Sequence, residues 1–263
     1  DLSMVPDEVF QRPKAPEGLD LRHISTGIEW YAQTPMYYVG NPCKATAERG
    51  KRYTDIAVKN LAAIIKNVKE NTSTKDGGGV YAFGSTVTIS KATICNNTSK
   101  VAAGGMGISK NGKAIMRGGK ITGNSSPNGG ALLIQGGAAF ELIGGEIVKN
   151  TASIVGGGIH VNSNSTLTMK GGTISNNTAK NSGAGIYAAP KSVLNMKGGT
   201  IANNKAKSAG GGIYASTDSK LTLSSGLIGG NTAVKQSGGG VCASKATVIM
   251  QSGLKLASNQ AHS

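Results

Sequence analysis

From Gly77 onward the chain repeats: glycine clusters recur at Gly77, Gly104, Gly129, Gly156, Gly183, Gly210 and Gly238, spaced 25 to 28 residues apart. A fixed period in this range marks a solenoid, in which each unit buries its apolar face only by stacking on its neighbours. Inside each unit the period drops to two. The unit opening at Gly156 reads GGGIHV, then STLTMK, then GGTISNNTA; Ile159 and Val161 flank His160, Leu167 and Met169 flank Thr168, and Ile174 closes the set. Such short alternation reads as half-buried strands, three to a coil. No helical pattern interrupts them. The fold class that follows is all-β, a right-handed parallel β-helix of about seven to eight coils.

Three residues after the last core aliphatic, every unit carries an asparagine: Asn97, Asn124, Asn150, Asn177, Asn204, Asn231 and Asn259. One polar side chain at the same corner of every coil would be costly if buried alone. Stacked along the axis, each amide can bond the ones above and below it. We expect a structural ladder.

Solenoid ends expose unpaired strand edges. Residues 53–70 (YTDIAVKNLAAIIKNVKE) place Ile56, Leu61, Ile64, Ile65 and Val68 on one helical face, with Thr54 as an N-cap, and predict a capping α-helix. The expected organisation is an extended arm or linker over 1–35, a first strand from Met36 with the capping helix over 36–76, and the repeats over 77–263. The chain starts at Asp1, as a processed exported protein or a trimmed one would. It stops at Ser263, just past the seventh Asn, where either further coils of a longer protein or a second stacked end would follow.

Composition narrows function. The 40 glycines are about twice the usual share but lack a Gly-X-Y period, which excludes collagen. No run of eighteen apolar residues is present, so no transmembrane segment is expected. The net charge is +15, and residues 77–263 carry nearly all of it: sixteen Lys and one Arg against Glu141, Glu146 and Asp218. Arg117, Lys170 and Lys197 share one place in the repeat; Lys100, Lys180 and Lys207 share another, with Lys235 one place further on. Coils lie about 4.8 Å apart, so such columns repel unless solvated or paired with a polyanion. Nucleic acid is an unlikely partner, because the coils hold one Arg and lack the aromatic-plus-Arg mix that reads bases.

A second outward column is apolar. The position after the first core aliphatic reads Tyr81, Ile108, Leu133, His160, Tyr187, Tyr214 and Cys242. A continuous exposed stripe marks a contact surface, for a glycan stacking on His160, Tyr187 and Tyr214, a second copy, or the arm around Trp30 and Tyr31. The bland alternatives are long neighbouring loops that shade the column, or a reversed parity that puts these residues in the core. Catalytic signals are thin. Glu141 and Glu146 are the only carboxylate pair in the repeats and replace Thr168 and Thr173 of the next unit, where a glycosidase needs two carboxyls at a set separation. A threonine array would suit ice, but Thr166, Thr168, Thr173 and Thr178 read as scattered. Cys43, Cys95 and Cys242 have no metal-ligand spacing; a Cys43–Cys95 bridge is the alternative to free thiols. No cofactor or metal ligand set is expected.

The pairing of GGGI or GAGI with I-x-x-N, as in ISNNTAKNSGAGIYA (174–188) and IANNKAKSAGGGIYA (201–215), resembles the repeats of bacterial adhesin-like surface β-helices. It is similar to the GGA(I/L/V) plus F-x-x-N repeat of chlamydial polymorphic outer membrane proteins, with Ile or Leu here in place of Phe. MKGGTISNNTA (169–179) looks like the surface β-helices of gut and oral bacteria, and MYYVGN with the following helix is similar to the cap of that superfamily. The resemblance spans about residues 36–263. It implies a non-catalytic, secreted or cell-surface bacterial protein that adheres to an anionic glycan or a host surface protein, with self-association as a further partner class. A polysaccharide lyase or hydrolase of the pectate-lyase-like superfamily is the alternative, because this scaffold carries many functions.

Overall fold

Ile159 pairs with Ile186 and Ile186 with Ile213, in parallel register and 27 residues apart each time. The computed structural model describes residues 67–262, and over them the chain winds as a parallel β-solenoid of about seven turns. Each coil contributes four short strands; in the coil opening at Gly156 these are Ile159–Val161, Thr166–Met169, Thr173–Ser175 and Thr178–Ala179. The first strands stack into a seven-stranded sheet and the fourth into an eight-stranded one. The second and third strands belong to one thirteen-stranded sheet. They join because Lys220–Gly229 and Thr247–Ala257 run on through the bend. There Ser225 replaces the first of the two glycines that break the strand in the coil before, Gly198 and Gly199, and glycine is the residue that marks such bends. Three strands per coil were expected; the fourth is two residues long in most coils, as at Thr98–Ser99 and Thr178–Ala179, too short for alternation to reveal.

The inward residues form columns of like on like. Ile94, Ile121, Ile147, Ile174, Ile201 and Ile228 stack one per coil and are all buried. Each contributes about 1.5–3 kcal/mol by leaving water. Size is balanced between neighbours. Phe140, the largest fully buried side chain, sits beside Ala114 in the preceding coil and Leu167 in the next. Aligning on these columns corrects the sequence register of the second coil. Ile108 pairs with Ile134 and is wholly buried, while Gly107 pairs with Tyr81 and Leu133 in the outward column. That coil therefore opens at Ala103, not Gly104. Ala103 holds φ 60°, in the left-handed region occupied at this place by Gly129, Gly156 and Gly183.

The asparagines form a continuous ladder, buried from Asn97 to Asn231. Each donates its side-chain amide to the Oδ1 of the next at 2.8–3.0 Å, from Asn71 through Asn97 to Asn259. The residue before each has positive φ: Glu70, Asn96, Gly123, Lys149, Asn176, Asn203, Gly230 and Ser258. The repeated Asn-Asn pairs thus divide their labour, the first turning the chain and the second bonding along the axis. Asn71 is an eighth rung that the glycine alignment did not include.

Its presence corrects the N-terminal reading. The helix expected over 53–70 does not cover its last residues: Asn67–Lys69 is a strand paired with Thr93–Cys95, and Val68 stacks on Ile94. Pairing of the backbone in a coil outweighs the helical spacing of Val68. The rest of that helix, the strand from Met36, the arm over 1–35 and Cys43 lie outside the described residues. Among the described residues, no helix is long and apolar enough to cross a membrane.

Candidate anion-binding face

Alternation along the second strand of each coil sends three ranks of side chains outward over the thirteen-stranded sheet. The rank at the bend holds Arg117, Lys170 and Lys197: their N–H groups bond Ile89, Leu142 and Met169 in equivalent positions. Lys170 and Lys197 are one coil apart, and Ile143 stands between Arg117 and Lys170 in the rank. The middle rank runs Ile115, Glu141, Thr168, Asn195, Thr222. The far rank runs from Thr86 to Lys113 and reaches Lys220 through Ala139, Thr166 and Val193.

Glu141 is the point on which these ranks converge. Lys170 forms an ion pair with its carboxylate. That hydrogen bond holds the carboxyl below its ordinary value against an opposing effect of burial, and the charges of Lys170, Arg117 and Lys113 push the same way. A depression of about 270 Å³ opens beside it, lined by Lys113, Ala139, Glu141, Thr168, Lys170 and Lys197 among others. The chemistry on offer is a cluster of cations with one internal anion. Glu146 stands apart, across the bend, where Lys120 holds it at 2.8 Å. Glu141 and Glu146 are therefore each engaged by their own lysine.

The remaining candidates lie elsewhere on the coil. Lys180 and Lys207 follow the fourth strand, their N–H groups bonded to Ala152 and Ala179, with Lys100 in the same column. This corner precedes the first sheet, whereas Lys170 and Lys197 follow the second strand. The two lysine columns thus sit on different corners and cannot serve one small ligand together. The aromatic column occupies the outer side of the first sheet. His160 meets Tyr187 edge-on at 5.2 Å between centroids, and Tyr187 stacks on Tyr214 at 5.3 Å. These three and Cys242 are partly covered, Leu133 is buried against Ala102 and Ala103, and Tyr81 remains 43% exposed. Burial pushes the His160 imidazole down to about 4 and the Tyr187 hydroxyl up.

Between Tyr81 and Leu133 the column is interrupted by Gly107. The Tyr81 ring lies across it, 2.6 Å from where a Cβ would stand. The Tyr81 hydroxyl accepts from Gln135 Nε2 at 3.3 Å, and the same amide donates to Asp76 at 3.0 Å. Thr178 is less isolated than its sequence suggests, because Thr72, Thr98, Ser125, Thr151 and Thr178 stack on the eight-stranded sheet. Lys205 ends that run.

Sequence reasoning placed Arg117, Lys170 and Lys197 in one column but missed Lys113, Lys220 and the polar middle rank. The signal was parity. Lys113, Ile115 and Arg117 alternate with Ala114 and Met116, so all three leave the core on one side. Among the described residues, no group of three His, Cys, Asp or Glu is placed to hold a metal ion.

No curated protein and no solved structure matches the chain. A family model does: the right-handed beta helix region, over residues 56–246. That match takes in the basic face, the aromatic column and all seven coil openings, and with the parallel registers above it places this chain in the right-handed β-helix family.

Proposed function

We propose that the protein is a non-catalytic β-helix, secreted or displayed on a bacterial cell surface, which adheres by holding an anionic glycan on the face around Glu141. One observation carries the reading: Lys113, Arg117 and Lys170 all act on a single carboxylate, with Lys197 on the rim of the same depression. Cations gathered this closely repel one another and gain most when a polyanion arrives and displaces their counterions. The adhesin-like repeats support the same reading at the level of resemblance.

The test is retention on an immobilised acidic polysaccharide such as heparin across a salt series. Retention should fall steeply with salt. Changing Lys113, Arg117, Lys170 and Lys197 together to Gln should remove most of it, while changing Lys180 and Lys207 should remove little. Retention that ignores salt, or that survives the fourfold change, would end the proposal. A depolymerising enzyme is the second reading, and it is favoured by one feature: the ionised Glu141 could accept a proton from a bound sugar. New chain ends released from acidic polysaccharides by the protein, and lost in Glu141→Gln, would establish that reading instead.

A further inference from the structure

We infer that the coil from Gly238 to His262 is a self-complementary interface, and that its occupant is the same coil of a second copy, turned over about a two-fold axis at Ser252. Three observations meet on this coil. Among the described residues, Thr247–Ala257 pairs along one edge only, with Lys220–Gly229. It is 11 residues long and holds no proline, and a long edge without such a block is a template for another strand. Its core-facing side chains are uncovered: Met250 and Leu256 stack on the wholly buried Leu223 and Ile228, yet are 49% and 51% exposed. The ladder ends here as well. Asn259 accepts from Asn231 and gives one amide hydrogen to Ile228. Among the described residues, its backbone N–H and its second amide hydrogen have no acceptor.

A second copy fits because the strand has the same pattern from either end. The register against Lys220–Gly229 slips at 251–252, which leaves two nearly equal arms, 247–250 and 253–257. Reversed about Ser252, the arms exchange places. Val248 then lies opposite the partner's Leu256 and Met250 opposite the partner's Leu254, core side to core side. On the outer side Ile249 lies opposite the partner's Lys255, whose stem can cover it. The same turn brings Asn259 to the partner's loop 244–246, where carbonyls and the Ser244 hydroxyl can take its spare hydrogens. The coil holds about 25 residues, within the range of about 20–30 a side that a stable interface uses. A two-fold contact also closes at two copies, whereas head-to-tail stacking continues without limit. Head-to-tail stacking would further have to share the opposite end of the solenoid with the 66 residues that lead into Asn67.

The test is the mass of the 263-residue chain in solution, by sedimentation across a concentration series. It should rise to twice the mass of one chain and stop there. Ile249 and Lys255 then report the register, because they lie on different arms of one chain but opposite each other across the two-fold axis. Ile249→Glu should tighten the dimer by about fivefold, since each copy gains a cross-strand ion pair with the partner's Lys255. Ile249→Lys should loosen it by about fivefold. Adding Lys255→Glu to Ile249→Glu should cancel the gain. Both side chains are exposed, and unchanged circular dichroism would show that the coil still forms in each variant. A chain that stays single, a mass that climbs past two copies, or a dimer that responds alike to Glu and Lys at position 249 would overturn the inference.

Discussion

Asn177 gives two hydrogen bonds to a single oxygen, the Oδ1 of Asn204: its backbone N–H at 3.0 Å and its side-chain amide at 3.0 Å. The second amide hydrogen goes to the carbonyl of Ile147, in the coil before. Asn177 Oδ1 in turn accepts the same pair of bonds from Asn150. Every rung along the asparagine column therefore faces one way, with its backbone N–H and one amide hydrogen toward the next asparagine and its Oδ1 toward the preceding one. This direction explains why asparagine is used where a serine or a threonine would be too short and would offer a single donor.

Removing an inner rung should cost more than removing the last. Asn177→Ala strips the acceptor from both Asn150 donors, takes the amide from Ile147 O and leaves Asn204 Oδ1 with the backbone N–H of residue 177 alone, all at a buried corner. Each buried orphan costs about 1–3 kcal/mol, so a loss of several kcal/mol is expected. Asn259 is only partly buried, and water can replace it as acceptor for Asn231. Asn259→Ala should shift the urea midpoint much less than Asn177→Ala or Asn204→Ala. Equal small shifts in the three would contradict the ladder as an energetic element.

The ladder was legible in the sequence because I-x-x-N recurs without exception from Ile94 to Ile228. Asn71 escaped for a local reason. Its coil writes the same motif with valine, from Val68 to Asn71, and Val68 also fits the helical face that Leu61, Ile64 and Ile65 suggest. The second coil slipped by one residue because Ala103 takes the left-handed position normally marked by glycine. The proposed binding face was half legible. Repeat position identified Arg117, Lys170 and Lys197 as a column, but only parity across stacked strands adds Lys113 and the polar rank beside it. That Lys170 and Lys180 lie on different corners depends on where the chain bends, and the two-residue strand Thr178–Ala179 gives too little pattern to show it.

Lys149 stands where most coils use Asn or Gly, with φ 58°. A residue with a Cβ is strained there by about 1–2 kcal/mol relative to its relaxed backbone, and glycine is not. The side chain is exposed, so nothing is lost by its removal. Lys149→Gly should raise stability by about 0.5–1 kcal/mol once the flexibility of glycine in the unfolded chain is counted. A urea midpoint that falls instead would show that Lys149 contributes a contact outweighing its backbone strain.

Tyr187 and Tyr214 stack on the outer side of the first sheet, while Ile186 and Ile213 beside them are wholly buried. The stacked pair is worth about 0.5–1.5 kcal/mol beyond the area it covers. A single Ile186→Ala, which opens a cavity, costs about 2–5 kcal/mol. The double change Tyr187→Ser with Tyr214→Ser should therefore destabilise no more than Ile186→Ala alone. If the double variant unfolds like two core variants combined, the column carries more of the fold than its outward position implies.

His160 makes the column sensitive to acid. Its Nδ1 is buried without a hydrogen-bond partner, and burial lowers its pKa from 6.5 to about 4. In the unfolded chain the imidazole binds its proton as pH falls through 6.5, whereas the folded chain resists protonation until about 4. The unfolded state thus holds more protons in this window, and stability rises with pH across it. The contribution is complete above about pH 6.5 and is lost toward pH 4, by up to about 3 kcal/mol. His160→Tyr would continue the stack of Tyr187 and Tyr214 without a group that titrates there. Thermal midpoints measured from pH 7 to pH 4.5 should fall further in the unaltered protein than in His160→Tyr. Carboxylates such as Glu141 titrate in both proteins, so the difference between the two curves isolates the histidine. Parallel curves would mean that the imidazole is hydrated in the folded state and that its unpartnered nitrogen carries no energetic weight.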